Sequence, residues 1–288
     1  MSASKDRGAP RPPITLPENA KICVNVDLAF EGFHTACQFR QRAPLPNQTD
    51  HFSLSFAEYG LRVGIWRLLD ALEEWGVPAT CITSGLAAEV YAKTLKALHQ
   101  AGHEVMAHAW TNDANSLATD DEQTEAQEVA RSIDAIRRAT GEAPVGWMSP
   151  GGVGTPARLR VLAAQGILYN CDDASDDLPF VIQVGDIPHV VYPRTIGCND
   201  LSNWLNPSNP PSAFLEAIKA QFDQYYAEGV RGRPACFDIT LHAHMAGRAL
   251  LMPALHEAMR YILGHRGVWV ARKRELAQWI LDHPDYHG

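Results

Sequence analysis

The chain has 288 residues, 46% of them hydrophobic and 20% charged, with a formal net charge of −8 at pH 7. This is the composition of an ordinary globular protein, and the lack of a lysine- or arginine-rich block argues against nucleic acid as a partner. No run approaches the roughly 18 apolar residues needed to cross a bilayer, so no membrane partner is expected either.

The chain opens on a polar, proline-rich segment without the apolar core of a secretory signal. Such a segment cannot offset its ordering entropy. A flexible tail is expected over 1–15 and one domain over 16–288. Ile22 to Asp27 is a β-rich run, after which Ile65, Leu68, Leu69 and Leu72 share one helical face. Pro78 to Thr83 predicts a second strand, and a helix follows from about Ala87 to Gln100, stopped by Gly102. Glu104 to Ala107 is a third strand. Thr119 and Glu122 have capping-box spacing, opening a helix that carries Val129, Ile133 and Ile136 and ends near Gly141.

Val145 to Met148 predicts the next strand, and Thr155-Pro156 the start of a helix, where proline suits the first turn. Ile167 to Tyr169 and Val190 to Tyr192 are further strand candidates. Phe214, Ile218, Phe222 and Tyr225 mark a helix ended by Gly229. Cys236 to His242 is the clearest buried strand. A helix near 250–265, the strand Val268 to Val270 and a last helix complete the chain. Repeated strand-then-helix order predicts a largely parallel sheet. Two long irregular stretches, about 32–53 and about 172–211, follow strands. In a barrel they lie at the strand C-terminal ends, where active sites gather. The six cysteines, Cys23, Cys37, Cys81, Cys171, Cys198 and Cys236, form no C-x-x-C pair. A reducing, cytoplasmic compartment is the expectation.

The residues with chemistry cluster at strand ends. Asp27 closes the first strand, His108 follows the third, and His242 and His244 end the clearest one. A carboxylate with imidazoles binds a divalent cation or works as base and acid. His103 lies before its strand, at the opposite end from His108, which suits a structural role. His34 and His51 fall in the first long loop. Trp110 and Trp147 are candidates for a pocket wall, or for packing. Arg248 offers a planar fork to an anionic or carbonyl group, or a surface ion pair.

Gly102-His-Glu-Val-Met-Ala-His108, Asp27 after its apolar strand, and Leu241-His242 resemble, in order, motifs of the polysaccharide deacetylase (NodB-like) superfamily. The resemblance runs over about 20–275. It is closest to the subgroup of metal-independent allantoinases, cyclic imidases and intracellular-type peptidoglycan deacetylases. Glu142 to Trp147, Tyr169 with Asp172-Asp173, Asp176 to Pro179, Asn199-Asp200 and Leu241 to Arg248 carry that likeness. It implies a distorted (β/α) barrel of about seven strands and hydrolysis of a non-peptide C–N bond. It also implies a small-molecule substrate, a homo-oligomer (dimer or tetramer) and a polar rim from Asp176, Asp177, Asn199 and Asp200.

Two departures matter. The family's metal site has a second His four residues after the first; here that position is Asn112, a weaker ligand. The position two before Asp27, where a basic carboxylate is usual, is Asn25. Asp27, His108 and Asn112 are therefore the set for zinc or another divalent cation if one is bound, and a metal-free site is the alternative. Asp27 and His242 are the candidate base and acid, and Glu31 is either a further base or a solvated loop residue. The expected chemistry is allantoinase- or imidase-like hydrolysis. The alternatives are deacetylation of an acetylated amino sugar, or a catalytically silent binding protein on the same barrel.

Overall fold

The structure is a computed structural model that describes residues 14–37, 49–113, 119–204 and 209–286. The expected tail falls almost wholly outside those residues, as does half of the first long loop. In chain order the elements are β1 (Ile22–Phe30), α1 (His51–Tyr59), α2 (Ile65–Trp75), β2 (Thr80–Thr83), α3 (Gly85–Val90), α4 (Ala92–Gln100), β3 (Glu104–Ala107), α5 (Glu122–Thr140) and β4 (Gly146–Trp147). Then come α6 (Pro156–Ala164), β5 (Tyr169–Asp173), β6 (Phe180–Val184), β7 (Ile187–Pro193), α7 (Asp200–Trp204), α8 (Pro211–Val230), β8 (Ala235–His242), α9 (Met252–Leu263), β9 (Val268–Val270) and α10 (Lys273–Leu281).

The strands form one sheet in the order β6-β7-β5-β4-β3-β2-β1-β8, with β9 added beside β1. Seven strands of that path run parallel, and β6 pairs antiparallel with β7. The sheet is curled and flanked by helices: a distorted (β/α) barrel. Its C-terminal strand ends gather at one rim, because right-handed β-α-β crossovers carry each strand in the same direction. The second long stretch is not structureless, since it contains the β6–β7 hairpin.

The alternation of side chains along each strand divides the interior from the outer layer. On β1, Ile22, Val24, Val26, Leu28 and Phe30 face the helices and join a core with Ile65, Leu68, Val129 and Phe237. The other face of β1 presents Cys23, Asn25 and Asp27 to the barrel interior. Asn25 accepts from the Tyr192 hydroxyl at 2.6 Å, and Cys23 packs with Met106, Tyr169 and Tyr192. Both faces are buried, which is why β1 reads as a nearly continuous apolar run.

Some local readings are corrected by the structure. The helix expected over 87–100 breaks at Tyr91 (φ −116°, ψ 39°) into α3 and α4. The N-cap of α5 is Asp121, whose carboxylate accepts from Thr124 N at 3.0 Å; the expected Thr119–Glu122 box does not form. Thr155 does cap α6, with Pro156 in its first turn. Gly60 and Gly64 lie in a π-helical turn over 60–64, where a Cβ at Gly60 would sit 2.4 Å from His244 N. Only glycine lets this helix seat directly on the loop after β8.

Candidate functional site

Glu31 is the first residue past β1 and lies on the same face as Asn25 and Asp27, two positions of that face nearer the rim than Asp27. It is buried, at 4% exposure. Its Oε1 lies 3.3 Å from His108 Nε2 and 3.9 Å from His242 Nε2, and accepts from Asn112 Nδ2 at 3.3 Å. Its Oε2 has no hydrogen-bond partner, and neither has the buried Asn112 Oδ1. Burial works to raise the Glu31 pKa, but His242, His108 and His244 outweigh it and hold the carboxyl at about 2. Glu31 is ionised at neutral pH.

His108 follows β3 directly. Its Nδ1 donates to Met148 O at 2.6 Å, which turns Nε2 toward Glu31. The next residue, Ala109, sits at φ 52°. A left-handed alanine costs of order 1 kcal/mol, and here it turns the chain sharply behind the imidazole. Asp113 then pins the first loop, accepting from His34 N and Thr35 N at 2.6 Å each.

His242 ends β8. Its Nδ1 donates to Asp200 Oδ1 at 2.7 Å, while Asp200 Oδ2 accepts from His242 N at 2.9 Å and Ala246 N at 3.0 Å. Burial disfavours the imidazolium, yet Asp200 and Glu31 overcome it and raise the pKa to about 9. The ring is charged at neutral pH, with Nε2 aimed at Glu31. His244 lies beside it, ring centroids 5.6 Å apart, with Nε2 buried and unpartnered. Burial pushes His244 down to about 4, so it is neutral.

Asp27 does not join this group. Its carboxylate faces Lys273 Nζ at 3.2 Å, and Lys273 also reaches Asp238 at 2.6 Å. No imidazole forms an ion pair with it among the described residues. Four residues of extended chain separate Asp27 from Glu31, a drop of ~13 Å into the barrel. The base and ligand roles expected of Asp27 are thereby corrected, and Glu31 stands where Asp27 was expected. Burial raises the Asp27 pKa to about 7 against the opposing pull of Lys273.

The expected binding residues also lie elsewhere. Trp147 is fully buried and donates from Nε1 to Ser149 Oγ at 3.0 Å. Trp110 packs over Gly85 and under the Arg131 guanidinium, 3.3 Å from its ring centroid. Arg248 is held against Phe56 and Tyr59, and donates from Nε to His244 O at 2.9 Å. Asp177 accepts from the Tyr225 hydroxyl at 2.6 Å, and its carbonyl accepts from Cys236 N near the start of β8. That is six residues, ~20 Å, from His242. His103 accepts from Ala79 N at 3.2 Å, a structural contact at the far end of its strand. Asp200, expected on a polar rim, is instead buried beneath His242.

The Asp27–His108–Asn112 metal set does not assemble, because an ammonium group faces Asp27. Near Glu31 stand the imidazoles of His108 and His242, with His244 beside them and the Asn112 amide, but the His242 pKa is raised to about 9 and the ring carries its proton at neutral pH. No three His, Cys, Asp or Glu side chains among the described residues are arranged to hold a metal ion. With one imidazole protonated and an amide in the set, these donors do not fit zinc, which takes three or four strong protein ligands.

The polysaccharide deacetylase family model matches residues 48–169. A Schizosaccharomyces pombe protein named for that family is 28% identical over 93% of each chain. The crystal structure of PuuE allantoinase superposes with a TM-score of 0.88 and 28% identity, covering 99% of both chains. Residues 48–169 thus match the polysaccharide deacetylase family, and the chain over its length is similar to proteins of deacetylase and allantoinase kind. It is also similar to the peptidoglycan deacetylase of Helicobacter pylori, at 26% identity over 72% of this chain and 80% of that one. The named relatives are thus hydrolases of both deacetylase and allantoinase type. No described helix is long and apolar enough to cross a membrane.

Proposed function

We propose that this protein hydrolyses a non-peptide C–N bond in a small cyclic amide, ureide or imide, with Glu31 as general base and His242 as general acid. One observation carries the reading: a buried carboxylate with a free oxygen faces an imidazolium seated on its own aspartate. At neutral pH the pair starts in the protonation states hydrolysis needs. Water adds to the carbonyl carbon while its proton passes to Glu31. His242 gives its Nε2 proton to the leaving nitrogen as the C–N bond breaks, and the proton on Glu31 then returns to His242. Asp200 positions the ring and steadies its charge. Glu31 Oε2 and Asn112 Oδ1 are acceptors awaiting donors, which a water and a ring N–H supply. An activated ring carbonyl suits direct attack by water, without a Lewis acid.

The test is turnover of a panel of hydantoins, cyclic imides and N-acetylated sugars. The expected result is hydrolysis of ring substrates, undiminished by a chelator. Glu31→Gln and His242→Ala should each lower kcat by about 100- to 10,000-fold while circular dichroism shows the fold retained. Turnover confined to N-acetyl sugars, or wild-type rates in either variant, would refute the assignment.

A further inference from the structure

A cavity of about 220 Å³ opens beside Glu31, which forms part of its wall. A single water needs only about 10–15 Å³ of such space, so the cavity has room for a sizeable group. Its lining is mostly apolar: Phe33, Leu54, Leu61, Leu86, Val90 and Tyr91 contribute, with His34 and Glu58 as polar members. Three separate elements supply it: the loop after β1, the α1 and π-helical segment, and α3. Each is fixed independently. Gly32 N donates to Ser84 Oγ at 2.8 Å and holds the loop against α3, where a Cβ on Gly32 would lie 3.1 Å from Ala87 N. Tyr91 donates to Glu58 at 3.1 Å and ties α3 to α1. The cavity is therefore built by the fold.

Neither the base nor the acid needs an apolar cavity for its chemistry. An unsubstituted polar ring, rich in N–H and C=O, gains nothing from six apolar side chains. A ring bearing a hydrocarbon group does gain, because each methylene moved from water into a fitted apolar pocket is worth roughly tenfold in selectivity. The pocket's contact with Glu31 fixes where such a group must be attached: next to the carbonyl under attack.

We infer that the preferred substrate carries an aliphatic or aryl substituent adjacent to the scissile carbonyl, and that the cavity lined by Leu54, Leu61, Leu86 and Val90 receives it. The inference rests on the proposed hydrolase reading and names the substrate class within it.

Hydantoin and 5-isobutylhydantoin are the paired probes. The wild-type protein should favour the substituted ring by at least tenfold in kcat/KM. Val90→Trp, at an exposed position, and Leu54→Trp, at a half-buried one, both with room for a larger side chain, should cut that ratio by at least tenfold. Equal kcat/KM for the two rings in the wild type, or an unchanged ratio in both variants, would overturn the inference. If the wild type hydrolyses neither ring, the hydrolase reading fails in its present form, and calorimetric binding decides the pocket separately. Tighter binding of 5-isobutylhydantoin than of hydantoin, weakened by Val90→Trp, supports it, while equal or absent binding refutes it.

Discussion

At the scale of single residues, the site is defined by two groups whose environments drive their pKa values apart. Glu31 is held at about 2 and His242 at about 9. An acid–base pair of that kind should work across a broad neutral plateau. The rate should fall as pH rises through about 9, when His242 loses the proton it must donate. Asp200→Asn removes the carboxylate that favours the imidazolium. That limb should then move down toward the ordinary imidazole value of 6.5. A pH–rate profile of kcat/KM checks it, and an unmoved limb would show that another group titrates there. His108 and His242 were named from the sequence because each ends or follows a strand with an apolar pattern, and Asn112 because it stands four residues after His108, where the resembled family has a second His. Glu31 was visible only as an alternative. The β1 pattern ends at Asp27 for an eye seeking apolar runs, whereas the extended backbone continues to Phe30. Alternation from Asn25 through Asp27 leads to Glu31 on the interior face. Asp200 was named only as a rim residue; its place beneath His242 was out of reach, because that partner lies 42 residues away.

At the scale of elements, the strands and most helices followed from periodicity. What escaped was set by long-range contacts. The β6–β7 hairpin forms on the edge of the sheet, where pairing rather than burial decides. The break between α3 and α4 lets Tyr91 reach Glu58, a contact invisible to local propensity. The glycine-rich π turn before α2 has a sequence, Gly60 to Gly64, that predicts weakness in a helix. Its reason is proximity to β8: a Cβ at Gly64 would lie 2.1 Å from Ala243 O. Gly60→Ala and Gly64→Ala should each destabilise the protein by about 1–3 kcal/mol through overpacking. They should also lower activity, since the loop they displace carries His244. Urea unfolding midpoints measure the first effect; midpoints equal to wild type would mean that the seam is loose.

For the whole molecule, the barrel interior is layered. Asn25 groups with Tyr192 and Cys236, Asp27 and Asp238 group with Lys273, and Glu31 with its imidazoles lies nearest the rim. Lys273 enters from α10, whose first backbone N–H donates to Thr80 Oγ1 at 3.0 Å. Lys273→Met would leave two buried carboxylates unpaired and should cost about 3–5 kcal/mol. Asp27 titrates at about 7, above its ordinary 3.8. A raised carboxyl pKa contributes its stability in full below 3.8 and loses it as pH rises through 7. Asp27→Asn should therefore flatten the decline in stability between pH 5 and pH 8. Unfolding curves at both values test this, and an unchanged decline would assign the titration elsewhere. The fold class was readable because strand-then-helix order is a property of the entire chain. The vertical placement of Asp27 was not, because a strand's phase names the face but not the depth.

The plugged lower half has a kinetic consequence. Lys273 and its carboxylates pack the barrel beneath Glu31 with buried side chains, so a molecule held at Glu31 is expected to enter and leave by the rim. Whatever leaves after the bond is cut must exit by the way its precursor came in. Spent molecules would then compete with fresh ones for a shared doorway, and inhibition by the reaction's own product should be competitive.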